Sequence, residues 1–137
     1  MADITVTTPA KVSPVFFDDV EIYTYIAAAA ITAGQTVYVD SNGKAALSSA
    51  SAAGTAKFRG IALESVAAGQ PVSILKRGAI YGLDVSGLAF DAALYMSNTS
   101  GSLADAAGTV TLLAGHVMPV WDSVNVTKVA YFNGDML

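Results

Sequence analysis

The sequence has no cysteine. Disulfides, thiol redox chemistry and thiolate metal sites are therefore excluded. Charge is also scarce: Asp, Glu, Lys and Arg make up 13% of the chain, where soluble domains average about 25%. A single histidine, His116, is available for proton transfer near neutral pH. Long apolar runs are missing. The best stretch, "IAAAAITAG" from Ile26 to Gly34, falls well short of the ~20 residues a membrane span needs. Met1-Ala2-Asp3 has no basic n-region and no apolar h-region comes after it. The expectation is no membrane partner, and a chain made and kept in the cytosol or released with an assembly.

The net charge is −4 and the sequence pI is about 4.6. Phosphate backbones are bound by clustered Lys and Arg. The seven basic residues here are scattered, so nucleic acid is not an expected partner. Mean hydropathy is +0.52, and alanine accounts for part of it, with 25 copies among 137 residues. That leaves little polar surface to cover a domain of this length. The balance predicts a subunit that hides apolar surface against copies of itself or against a partner.

The length predicts one domain with a core of its own. From Gly34 onward, short apolar segments alternate with Gly, Asn, Asp and Ser turns, the pattern of an all-β chain. Expected strands cover Thr36 to Val39, Ala45 to Ser48, Phe58 to Val66, Val72 to Leu75, Ala79 to Leu83, Ala93 to Met96, Val110 to Leu113, His116 to Trp121 and Val126 to Phe132. No segment sustains a 3.6-residue period. "EIYTYI" (Glu21 to Ile26) reads as a strand and "AAAAI" as the loop after it. The chain also repeats itself. "ITAGQTVYV" (Ile31 to Val39) matches "VAAGQPVSI" (Val66 to Ile74), and "VYVDSNGKAAL" (Val37 to Leu47) matches "LYMSNTSGSL" (Leu94 to Leu103). Two β half-units in succession predict a small β-sandwich or partly open β-barrel built from short hairpins. The first twenty residues differ. "ITVTT" can form a strand, but Pro9 and Pro14 interrupt the segment after it, and adjacent Phe16 and Phe17 face opposite ways in an extended chain. This reads as an extended N-terminal arm over 1–20, with the β-rich domain over 21–137.

Reactive constellations are sparse. No G-x-S-x-G elbow surrounds any serine, and His116 sits in the apolar segment "GHVMPVW", so a structural histidine is expected rather than a catalytic one. Asp18, Asp19 and Glu21 form the one carboxylate cluster, but their spacing matches no cation loop. Neither metal nor cofactor is expected. Lys76-Arg77 is the one adjacent basic pair and reads as protection at a strand end. Gly34-Gln35 and Gly69-Gln70 are turn signals outside any phosphate-loop motif. Trp121, Tyr131 and Phe132 read as core or interface aromatics; the other use of such rings is a sugar-binding face. With no site for chemistry, the chain is expected to work by binding and not as an enzyme.

The stretch from Phe58 to Leu103 resembles the capsid cement, or head decoration, proteins of tailed bacteriophages. The pieces that carry the resemblance are Gly60-Ile61-Ala62, Ala67-Ala68-Gly69-Gln70-Pro71-Val72-Ser73-Ile74, Gly78-Ala79-Ile80-Tyr81-Gly82 and Ala93-Leu94-Tyr95-Met96-Ser97, in that order. "AGQTVYVDSNGKA" (Ala33 to Ala45) extends it upstream. The resemblance implies a β-rich subunit on the outer surface of a mature phage head, bridging major capsid subunits, with neither cofactor nor catalysis. It implies the major capsid protein of the same phage and the chain itself as partners, a homotrimer being favoured and a dimer possible. Synthesis would be in the bacterial host cytoplasm. The arm would meet the shell through Ile4, Val6, Val12, Val15, Phe16 and Phe17. Two other readings are a carbohydrate-binding β-module on a virion surface and a small hydrolase using His116.

Overall fold

The structure, a computed structural model, describes residues 3–6, 11–15, 20–121 and 124–134. Eleven strands run in order: β1 (Asp3–Ile4), β2 (Ser13–Pro14), β3 (Glu21–Ile26), β4 (Thr36–Val39), β5 (Ala45–Leu47), β6 (Gly60–Ala62), β7 (Pro71–Tyr81), β8 (Ala93–Met96), β9 (Leu103–Ala104), β10 (Leu113–Trp121) and β11 (Val126–Asn133). They form one antiparallel sheet that curls into a half-barrel, in the order β1-β9-β8-β10-β11-β7-β6-β4-β5, with β2 and β3 also on β7. No α-helix occurs among the described residues. The all-β expectation holds, in its partly open barrel form.

The longest strand, β7, organises the sheet. Its first half pairs β6 through Ile61↔Leu75 and Ala62↔Ile74, and its second half pairs β11 through Ala130↔Ile80 to Asn133↔Arg77. Along its other edge lie β3, from Glu21↔Arg77 to Ile26↔Pro71, and β2, at Ser13↔Tyr81 and Pro14↔Ile80. Sequence reading expects two strands here, Val72 to Leu75 and Ala79 to Leu83. They are one, because Gly78 continues the strand at φ 140 without turning the chain back. Lys76-Arg77 is thus mid-strand, not at a strand end. Val110 to Leu113 is not a separate strand either. Leu113 opens β10, whose ladder to β8 shifts register between Leu113 and Gly115.

Two cores sit on opposite faces of β7, because adjacent residues Ile74 and Leu75 point opposite ways. Leu75 joins Phe58, Ile61, Ile80, Leu94, Met96, Leu103, Val117 and Phe132 in the larger cluster. The Phe58 and Phe132 rings lie 5.9 Å apart, centroid to centroid, tilted by 46°, a favourable aromatic geometry. Ile74 joins Val72, Ala27, Ile31, Val37, Ala45 and Ala62 in the smaller cluster.

The sequence repeat is a repeated hairpin. In the β4–β5 turn, Asp40 Oδ1 accepts the Asn42 and Lys44 N–H groups, both at 2.9 Å. In the β8–β9 turn, Ser97 holds the same place and its Oγ accepts the Thr99 N–H at 3.0 Å. Both are short polar side chains substituting for backbone partners in a turn. The two hairpins are then tied together: Thr36 N–H donates to Gly101 O, Gly101 N–H to Ser48 O, and Ala50 N–H to Ser97 O.

Candidate functional site

Much of the large apolar surface left outside the two cores, among the described residues, collects at two places. The first is β3, where Ile22, Tyr23 and Ile26 are 43%, 44% and 42% exposed. The second is the far end of the β10–β11 hairpin, where Trp121, Val124 and Val126 are 72%, 82% and 56% exposed. Burial along β10 and β11 explains the second. Near β7 and β8 the hairpin alternates buried and half-exposed side chains, but beyond Val117 and Val129 it outruns its neighbours and both faces meet solvent. Phe90 adds to this surface, capped by the Lys128 ammonium 5.2 Å from its centroid. That ammonium is itself fixed by the Leu88 carbonyl, 2.5 Å away. Clustered large aromatic and β-branched side chains in solvent mark candidate contact surfaces.

Strand β3 is also an open edge. Ala27 donates its N–H to Gln70 O at 2.9 Å and accepts the Gly69 N–H at 2.8 Å, so its main chain addresses the β7 side. Alternation turns Tyr25 and Tyr23 the same way, and turns the N–H and C=O groups of Ile26, Thr24 and Ile22 outward. Ser73, opposite Thr24, agrees: its C=O accepts Leu63 N–H and its N–H donates to Glu64 Oε1, both on the β6 side. Among the described residues no strand covers this outer edge. At its start, Glu21 accepts from Arg77 at 2.5 Å.

Of the residues expected on the N-terminal arm, Ile4 is buried in the larger core, on β1 against Leu103. Val6 is half-buried and bridges Leu83. Val12 is buried against Gly82, and Val15 is half-buried, its N–H donating to Ala79 O. Phe16 and Phe17 lie outside the described residues, as do Asp18 and Asp19 of the carboxylate cluster. Sequence reading named Trp121 as a core or interface aromatic but did not single out Ile22, Tyr23, Ile26, Val124 or Val126. A signal was there: Trp121 and Val124 flank the polar pair Asp122-Ser123 in the sequence.

His116 lines a hollow of about 370 Å³ with Asp91, Tyr131 and Asn133, and its ring lies 5.3 Å from that of Tyr131. Among the described residues the hollow brings no serine or threonine to His116. The aromatic residues do not form a sugar platform. Phe132 is fully buried. Tyr131 pairs with His116 while Trp121 lies five positions further along β10, which puts the two rings on opposite faces of the hairpin.

No curated protein and no solved structure matches the chain. A family model does, over residues 17–131, described as structural cement protein, with E217 gp24 and Pam3 gp6 as its named representatives. A curled sheet of hairpins with exposed apolar surface suits that description, and with most of its length matched the chain belongs to the phage structural cement proteins.

Proposed function

We propose that the protein is a capsid decoration subunit that binds the outer surface of a mature phage head and stabilises it by bridging major capsid subunits. The match to structural cement proteins carries this reading. The exposed apolar residues at the β10–β11 end support it, as a surface open to a shell subunit. An acidic chain is repelled by DNA and suited to the outer shell face. The role is mechanical, without catalysis or cofactor.

The N-terminal segment belongs to the proposal as a shell-contacting arm. Ile4 and Val12 would leave the core to reach a partner, at about 1.5–3 kcal/mol for each side chain exposed. Main-chain hydrogen bonds to a shell strand would offset that cost. Several arms in one assembly would gain avidity of roughly 10²–10⁴ over a single arm. The resemblance favours three copies and allows two; the surface shared between copies decides which.

The test is binding of the purified protein to expanded, undecorated shells of its own phage. The proposal predicts saturation at a fixed ratio to the major capsid protein. It also predicts weaker binding after removal of residues 1–17, alongside a loss of stability because Ile4 and Val12 belong to the larger core. Failure to bind intact shells at any concentration contradicts it.

A further inference from the structure

The five residues of β3 that present an open edge read the same in both directions: Ile22-Tyr23-Thr24-Tyr25-Ile26. An antiparallel partner reads a strand in reverse, so this segment is complementary to its own copy about a two-fold axis at Thr24. That register sets Thr24 against Thr24, Tyr23 against Tyr25 and Ile22 against Ile26. Thr–Thr, aromatic–aromatic and aliphatic pairs are the favourable cross-strand combinations, and Glu21 on one copy never faces Glu21 on the other. The hydrogen-bonding phase agrees independently. The outward N–H and C=O groups belong to Ile22, Thr24 and Ile26, as Ala27 and Ser73 show. These positions are symmetric about Thr24, so every outward group finds a partner in the same register.

The edge is bounded where the palindrome is. Past Ile26, the Ala28 N–H donates to Ala45 O at 2.8 Å, so β5 occupies the outer side there. Before Ile22, the ladder to β7 shifts register between Glu21 and Ile22. None of the devices that keep an edge strand solitary is present within it: it has no lysine, no proline and no charge. Three of its five side chains are large, apolar and more than two-fifths exposed.

We infer that β3 is an isologous interface between two copies of this chain, joining their sheets edge to edge across a two-fold axis at Thr24. A strand pair this short buries less than the ~1,200 Å² of a standard stable interface, so the contact is modest in solution and strengthened by crowding of copies on a common surface. The arrangement makes a dimer, the stoichiometry the family resemblance leaves second. It does not depend on the shell-binding reading, because it is tested on the purified protein alone.

The chain has no cysteine, which makes the register directly readable. Facing residues of a hydrogen-bonded antiparallel pair lie about 5.5 Å apart at Cα, within disulfide range. Thr24→Cys under mild oxidation should give a covalent dimer at twice the 14.0 kDa monomer mass. Ile22→Cys alone should not, since its partner in the register is Ile26, whereas Ile22→Cys with Ile26→Cys should. Thr24→Pro removes an N–H that faces away from β7, so the fold should persist while the dimer expected of the wild type in sedimentation is lost. A wild-type protein that is monomeric or trimeric at high concentration, with no crosslink from Thr24→Cys, overturns the inference. Equal crosslinking from Ile22→Cys alone overturns the register.

Discussion

Val12 packs onto Gly82 so closely that a Cβ at Gly82 would lie 2.9 Å from the Val12 Cα and 3.0 Å from its N. Gly82 also holds φ +100, a conformation that side chains other than hydrogen disfavour. This contact seats the N-terminal segment against the turn after β7. Gly82→Ala should therefore destabilise the protein by on the order of 2 kcal/mol, from backbone strain and displacement of Val12 together. Gly54 is the control: nothing lies within 4 Å of its would-be Cβ and its φ is not left-handed, so Gly54→Ala should be neutral or stabilising by up to about 1 kcal/mol. Urea midpoints of the two variants check the pair.

Ser48 is fully buried and its Oγ has no hydrogen-bond partner. Its main chain is well used, donating to Thr36 O and accepting from Gly101 N–H. Ser48→Ala keeps those bonds and deletes a buried hydroxyl without a partner, a group that costs about 1–3 kcal/mol when desolvated. The variant should match or exceed the wild type in Tm. A loss of more than about 1 kcal/mol would mean that the hydroxyl is satisfied in solution.

The Asp84 carboxylate accepts both the Ser86 hydroxyl, at 2.7 Å, and the Ser86 N–H, at 3.2 Å. These bonds favour its charged form and lower its pKa below the ordinary 3.8. The folded-state pKa thus lies below the unfolded one. The stabilisation is fully present above the unfolded value and is lost as pH falls through the folded value, below about pH 4. Ser86→Ala should move the Asp84 titration upward in an NMR pH series. Because the group is exposed, global stability at neutral pH should hardly change.

Trp121 stands in solvent at the end of the β10–β11 hairpin, outside both cores. Trp121→Ala should leave stability within about 0.5 kcal/mol of the wild type. If this hairpin end meets the shell, the same change should weaken binding by tenfold or more, as loss of an aromatic anchor does. Unchanged affinity would place the shell contact elsewhere.

Much of the fold was legible because each hairpin carries its own local instructions. Asp40 and Ser97 close equivalent turns, and the matched segments around Tyr38 and Tyr95 became matched hairpins. The features that escaped were non-local. Nothing near Gly78 says whether the chain turns or continues; the ladders from β3 and β11 on either side decide it. The apolar residues of the first twenty positions read as an arm, yet burial of Ile4 and Val12 depends on space left by distant Leu103 and Gly82. Alanine blurred the alternation that separates core from surface, as in Ala27 to Ala30, where one residue is buried and three are exposed. The palindrome in β3 was in plain view as letters. Its meaning required knowing that the strand is an edge and which of its main-chain groups face outward.

The most direct measurement is co-sedimentation of the purified protein with expanded, undecorated shells from the same phage, across a range of protein concentrations. A shell-bridging role predicts saturable binding at a fixed ratio to the major capsid protein, and decorated shells that withstand more heat or internal pressure than bare ones. Absence of binding, or binding that leaves shell stability unchanged, would contradict the assignment of this chain as a shell-bridging subunit.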